Sequence, residues 1–170
     1  MKIKPLPPAS RVRELLNYDP ETGVFRWAVQ VAQRCPAGAV AGTATDARRY
    51  RTISIDRCIY LAHRVAWLYV TGEDPGAFQI DHINGSRDDN SIKNLRLATK
   101  TENMRNVKRP TTNKTGYKGV YFDTRLSRFR SCIRVNGKTK SLGTFQTAEE
   151  AHAAYCGAAK IYYGQFARSS

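Results

Sequence analysis

Paired cysteines, long apolar runs, internal repeats and acidic side chains are all missing or scarce in this 170-residue sequence. Its four cysteines (Cys35, Cys58, Cys132, Cys156) stand 23, 74 and 24 positions apart, and no C-x-x-C pair occurs. That spacing excludes a paired-cysteine zinc site and argues against a disulfide framework. No apolar stretch approaches the ~18 residues of a membrane span. The opening Met1-Lys2-Ile3-Lys4-Pro5-Leu6-Pro7-Pro8 carries no signal-peptide hydrophobic region. The expectation is therefore neither an integral membrane protein nor a conventionally secreted one, and a reducing, cytoplasmic setting. Acidic residues number 14 against 28 Lys and Arg, giving a net charge of +14 and a pI near 10.0. Hydrophobic residues make up 41%, enough to bury a core and to exclude wholesale disorder. The length suits one or two small domains.

The charge is uneven. Residues 1–100 hold 15 basic and 10 acidic side chains, whereas residues 101–170 hold 13 and 4. Excess charge by itself can be a solubilising surface. Lys and Arg interleaved with Tyr and Phe in the last third favour nucleic acid as the partner.

Three segments follow from composition. In the first, residues 9–17 read as a short helix capped near Ser10, and residues 19–23 as a Pro/Gly turn. Residues 24–27 read as a strand and 36–47 as a small-residue loop. Residues 50–55 and 58–60 form a hairpin around Asp56-Arg57, and 61–70 a helix with Val65, Leu68 and Tyr69 on one face. Residues 72–76 end this segment. The second runs from 78 to 107: an alternating strand at 78–83, a polar loop at 84–90, a strand at 95–98 and a helix opened by a Thr99/Glu102 capping box. Asn103 falls in its first turn and Asn106 lies on the same face. Residues 108–115 read as an exposed, mobile linker.

The middle segment has the residue types that phosphodiester hydrolysis needs. Such hydrolysis takes a base for water and a cation for the charge on the phosphoryl and leaving oxygens. Histidine accepts a proton near neutral pH, and carboxylate and amide oxygens are hard ligands suited to Mg²⁺. Asp81 and His82 alternate faces on a flat strand, so both reach one site only if the strand bends or ends there.

At Ile80-Asp81-His82-Ile83-Asn84-Gly85, Asn94-Leu95-Arg96-Leu97-Ala98-Thr99 and Glu102-Asn103 the sequence resembles the HNH endonucleases of the phage and intron homing type. The resemblance implies His82 as general base, Asp81 and Asn103 as ligands of a divalent metal, and Asn94 as the residue whose amide ties the loop and orients the histidine. Asn in place of His at position 103 favours Mg²⁺ or Mn²⁺ over Zn²⁺. The implied reaction is hydrolysis of a DNA phosphodiester, with the metal stabilising the 3′ leaving oxygen. Asn94 also reads as a plain turn residue, and Asp88, Asp89 and Asn90 as loop chemistry rather than ligands. His63 recurs in the family's upstream helix by resemblance, and on its own sequence reads as structural or phosphate-facing. His152 reads as structural.

In the last segment, residues 116–122, 128–135 and 138–145 read as three strands, the last two joined by Asn136-Gly137. Arg128, Arg130, Cys132 and Arg134 share one face of the middle strand. Thr147 and Glu150 open a helix whose stripe is Ala151, Ala154, Tyr155, Ala158 and Tyr162. Tyr117-Lys118-Gly119-Val120, Ile133-Arg134, Leu142-Gly143-Thr144-Phe145 and the run at 147–155 resemble the plant APETALA/ethylene-response-factor DNA-binding domain. The resemblance puts Lys118, Tyr121, Arg134, Thr139 and Ser141 on the DNA face, and Arg128 and Arg130 join them by alternation. The family's tryptophans and glutamate on that face are replaced, Ser141 and Cys132 among the replacements.

The expected fold is α+β: an HNH ββα-metal nuclease core plus a three-stranded antiparallel sheet packed on one helix. The expected organisation is an N-terminal α+β extension (1–76), the core (77–107), a linker (108–115) and the DNA-binding domain (116–170). The expected partner is double-stranded DNA, with a monomer as default, no membrane, and a phage or mobile element acting in a bacterial host as the source. The competing expectations are a sequence-specific DNA-binding regulator with an inactive nuclease fold, and a basic RNA-binding protein.

Overall fold

The computed structural model describes residues 4–106 and 113–168. The chain is α+β and divides into two compact units, Met1–Lys100 and Thr101–Ser170.

The first unit opens with helix α1 (Ala9–Leu15), followed directly by strand β1 (Leu16–Tyr18). The expected helix to residue 17 stops short because Leu16 is already extended. Leu16 and Tyr18 then alternate inward and pair with Trp27 and Phe25 of strand β2 (Phe25–Trp27). The residue preceding the helix is Pro8 rather than Ser10, at φ −53° and ψ 142°, and it makes no side-chain capping bond. The expected loop at 36–47 contains two short strands, β3 (Val40–Ala41) against β2 and β4 (Ala44–Thr45) against β5 (Arg51–Ile55). Strand β5 turns through Asp56 and Arg57, both at positive φ, into β6 (Cys58–Leu61). Two successive positive-φ residues match the twist that a two-residue hairpin requires.

Helix α2 (Ala62–Thr71) follows and is buried over most of its surface. Strands β7 (Gln79–His82) and β8 (Leu95–Ala98) pair antiparallel, with Asp81 opposite Arg96 and His82 opposite Leu95. A loop at residues 83–94, ending in a 3-10 turn (Ile92–Asn94), connects them. Helix α3 (Lys100–Arg105) begins immediately after Thr99. One core serves α1, the N-terminal hairpins, α2 and both β7 and β8, through Val12, Leu16, Ile53, Val65, Ile80 and Leu95. The packing thus runs through the sequence boundary expected at 76/77.

The second unit is a sheet in the order β11-β10-β9, formed by β9 (Val120–Asp123), β10 (Arg128–Val135) and β11 (Lys138–Phe145). Helix α4 (Ala148–Tyr163) covers one face, and its capping box joins Thr147 and Glu150 as the sequence predicts. The buried stripe is Ala148, Ala151, Tyr155, Ala159 and Tyr163. Ala158 is only half-buried and Tyr162 is exposed, because a 3.6-residue turn carries the inward face one position further along by the helix's end. Val107 and residues 108–112 of the expected linker lie outside the described residues. Its remainder is tied down: Asn113 Nδ2 donates to the Tyr117 carbonyl and Thr115 Oγ1 to that of Val120.

The turn between β1 and β2 braces the 83–94 loop. Tyr18 donates its hydroxyl to the Asn90 carbonyl at 2.7 Å, and Ile92 N–H donates to the Pro20 carbonyl at 2.9 Å. Gly23 sits at φ +72°, where a Cβ would drive into the backbone of Asn90 and Ser91. Gly23→Ala should therefore cost about 2–4 kcal/mol through strain and clash together. A denaturant titration of the two proteins measures it, and a loss below about 0.5 kcal/mol would show that the contact is not tight.

Candidate active site and nucleic-acid interface

Strand β7 ends at His82, the geometry under which adjacent Asp81 and His82 can serve one site. Both are buried, at 4% and 5% exposure. Asp81 faces Arg96 across the ladder, and the guanidinium donates from Nε and Nη2 to Asp81 Oδ2 at 2.8 and 2.6 Å. Arg96 is a partner that composition alone did not single out. Its position opposite Asp81 follows from the strand register.

His82 Nε2 lies 3.1 Å from Asn90 Oδ1. An amide oxygen only accepts, so this bond takes the imidazole in its Nε2–H form and leaves the lone pair on Nδ1. Asn90 is 1% exposed in the middle of a polar loop. The expectation that it is loop chemistry rather than a ligand misses this contact with the histidine. Asn94 closes the same loop: its Oδ1 accepts from Asn84 N–H, its Nδ2 donates to the Asp89 carbonyl, and its carbonyl accepts from Ile83 N–H. Asp89 is spent within the loop, accepting from Ser91 and from Asn84 Nδ2.

Three rings form a cluster. His63 of α2 meets His82 edge-on at 5.1 Å between centroids, and Tyr50 lies 5.0 Å from His63 and 5.8 Å from His82. Burial lowers the His82 imidazole below its usual range, while the Asn90 bond and Asp81 act in the opposite sense. His82 is therefore biased toward the neutral form that can take a proton. His63 is buried, and its Nδ1 has no hydrogen-bond partner among the described residues. Burial, with the His82 and Arg64 charges adding to it, pushes His63 down to about 3.

Asn103 lies on α3, in the second unit. Among the described residues no group of three or more His, Cys, Asp or Glu is arranged to hold a metal. Carboxylate and amide oxygens such as those of Asp81, on β7 in the first unit, and Asn103 are the hard donor type that a hydrated Mg²⁺ or Mn²⁺ takes.

In the second unit, the register aligns an outward face. Tyr121 and Thr144 flank Arg130, Asp123 faces Arg128, Thr139 faces Arg134, and Ser141 faces Cys132. A bulge after Ser131 shifts the β10/β11 pairing and turns Leu142 toward the core. Arg128 and Arg134 are exposed. Arg130 lies over Tyr121 and reaches Asp123 at 3.4 Å. Lys118 departs from the expected row: it sits in the turn before β9, its Nζ donates to the Arg105 carbonyl at 2.9 Å, and burial lowers it to about 8. His152 serves structure, meeting the Lys118 carbonyl through Nδ1 and stacking beside Tyr155.

A family model described as HNH endonuclease matches residues 60–105, and one described as AP2 domain matches residues 115–165. The chain is 31% identical over 106 residues to "Protein 3.8" of Escherichia phage T7, covering 62% of this chain and 87% of that one. The chain belongs to the HNH endonuclease family. This HNH protein carries an AP2 domain at its C-terminal end. It is also 30% identical over 106 residues to an "Uncharacterized HNH endonuclease L560" of Acanthamoeba polyphaga mimivirus, covering 62% of this chain and 54% of the relative. No solved structure matches it significantly. The HNH match takes in Tyr60 to Arg105, hence His63, Asp81, His82, Asn94 and Asn103. Among the described residues no helix is long and apolar enough to cross a membrane.

The His63 burial sets a pH dependence. Between about 3 and its unfolded value near 6.5 the unfolded chain binds a proton there that the folded chain does not, so stability falls as pH drops through that window. His63→Phe, which keeps the ring and removes the titration, should flatten the pH slope of unfolding by up to about 1.4 kcal/mol per pH unit between pH 4 and 6. Denaturant melts at several pH values measure this. An unchanged slope would place the acid sensitivity elsewhere.

Proposed function

We propose that this HNH protein is a metal-dependent DNA endonuclease in which His82 is the general base. The observation that carries this reading is the Asn90 contact, which takes the buried imidazole in the Nε2–H form and keeps the proton-accepting lone pair on Nδ1. In this reading His82 takes a proton from the water that attacks a DNA phosphodiester. Asn94 keeps the loop closed so that the imidazole is fixed, and Arg96 fixes the Asp81 carboxylate. Asp81 and Asn103 would hold Mg²⁺ or Mn²⁺, which when bound supplies positive charge to the phosphoryl and the 3′ leaving oxygens. Tyr121, Arg128, Arg130, Arg134, Thr139 and Ser141 present the DNA-reading face of the AP2 domain, while Lys118 holds its first turn. A sheet face with exposed arginines can contact phosphates and base edges in a major groove. In this reading the protein is a homing-type nuclease of a phage or mobile element acting in a bacterial cytoplasm, and the Escherichia phage T7 relative agrees with a phage source. A monomer suffices for a chain with one nuclease core and its own reader.

One observation favours the second reading, a DNA-binding regulator with an inert nuclease fold: Asp81 already has Arg96 as its cation. Supercoiled plasmid with Mg²⁺ separates the two. The nuclease predicts metal-dependent conversion to open circle or linear DNA, abolished by EDTA and slowed roughly 10²–10⁴-fold in His82→Ala with binding retained. No conversion with Mg²⁺ or Mn²⁺, with gel shifts intact, would identify the regulator.

A further inference from the structure

The geometry points to a second DNA contact, in the first unit: the turn at residues 46–51 is a phosphate clamp that grips the DNA backbone beside His82. The inference rests on the nuclease reading of that site, but its test is read on binding.

The turn is built around one acid. Asp46 Oδ1 accepts from both Arg48 N–H and Tyr50 N–H at 2.9 Å, and the Asp46 carbonyl accepts from Arg49 N–H. Asp46 N–H closes the turn on the Tyr50 carbonyl. These bonds hold one carboxylate oxygen on backbone, and no ion pair joins Asp46 to a guanidinium among the described residues. Arg49 is held at φ +66°, an uncommon conformation for any residue but glycine. Arg48 and Arg49 are exposed, and their side chains make no hydrogen bond or ion pair among the described residues. The guanidinium of Arg51 has one contact, 3.5 Å to the Gly42 carbonyl.

Exposed arginines alone are compatible with mere solubility. What separates these is how the turn is fastened. Tyr50 points inward from between them, onto the rings of His63 and His82. Arg87, from the loop that holds His82, donates to the Arg48 carbonyl at 2.7 Å and lies with its guanidinium 5.0 Å over the Tyr50 ring. The loop and the turn are therefore joined where Tyr50 meets His82, and the joined pair carries Arg48, Arg49 and Arg51 on the turn and Arg87 on the loop, with Asp88 as the exposed carboxylate of the loop. Guanidinium forks match phosphate oxygens two bonds at a time. A polyanion whose phosphates recur along a strand satisfies several at once, whereas a single small anion does not. The turn offers forks and no inserted aromatic, so its contact is with backbone phosphates and is independent of base sequence.

The test uses the full chain with Arg48→Gln, Arg49→Asn and Arg51→Gln combined, asparagine being chosen because it tolerates positive φ. Binding to a short duplex of arbitrary sequence is followed by fluorescence anisotropy over a salt series. Loss of three phosphate contacts should reduce the slope of log K against log[salt] by about 2–3. Hydroxyl-radical footprinting should lose one protected patch and keep the one made by the AP2 domain. The corresponding lysine variant, with the same charge, should retain most of the slope, which also covers failure of the first variant to fold. An unchanged slope and footprint in a folded triple variant would overturn the clamp. If wild-type protein does not cut plasmid, the nuclease reading fails, and the slope still decides the clamp on its own.

Discussion

Everything around the candidate site depends on keeping a buried imidazole in one protonation form. A histidine at 5% exposure pays for its charge in desolvation, so it stays neutral unless a partner holds the proton. Neutral histidine still has two tautomers, and only a fixed hydrogen bond chooses between them. Asn90 makes that choice by presenting its side-chain oxygen to Nε2. The backbone of Asn90 is fixed in turn by Tyr18 and by the glycine-floored turn of the N-terminal hairpin. The first hairpin of the chain thereby sets the chemistry of a residue more than fifty positions later. The N-terminal hairpins, α2 and the β7–β8 pair share one core, which carries these braces.

Arg96 and Arg87 perform related work on either side of that imidazole. Arg96 lies across the ladder from Asp81 and donates twice to one carboxylate oxygen, so that carboxylate is oriented beside His82. Arg87 leaves the loop in the other direction and fastens it to the turn at 46–51. Tyr50 and His63 pack against the His82 ring, and His63 Nδ1 has no hydrogen-bond partner among the described residues. The second unit follows different logic: its sheet buries alternate residues against α4 and leaves a charged row outward.

Much of this was legible in the sequence, for reasons that are local. Asp81-His82 before a polar loop, Asn94 before an apolar strand and the Thr147/Glu150 cap are signals spanning a few residues, and the elements around them fall close to where alternation and capping put them. The β10 face was equally readable, since period-2 alternation needs no tertiary knowledge. Asn90 was not readable: its burial comes from contacts with Tyr18 and Gly23, which no window of sequence joins to it. The short strand β1 hid behind a helical start because Leu16 fits either period until its partner Trp27 is known. Lys118 was carried to the DNA face by resemblance, but the close approach of Gly119 to Tyr155 shows the turn pressed against the helix, and the ammonium finds a backbone carbonyl.

The tautomer of His82 is the most direct test, because the proton-accepting role requires the lone pair on Nδ1. Long-range ¹⁵N–¹H correlation of the histidine side chains at neutral pH, assigned with His82→Gln, reports which ring nitrogen carries hydrogen. The buried Asn90 contact predicts a neutral ring with the proton on Nε2, and loss of that preference in Asn90→Leu. A His82 ring protonated at Nδ1 alone, or one indifferent to Asn90, would contradict the proposed base.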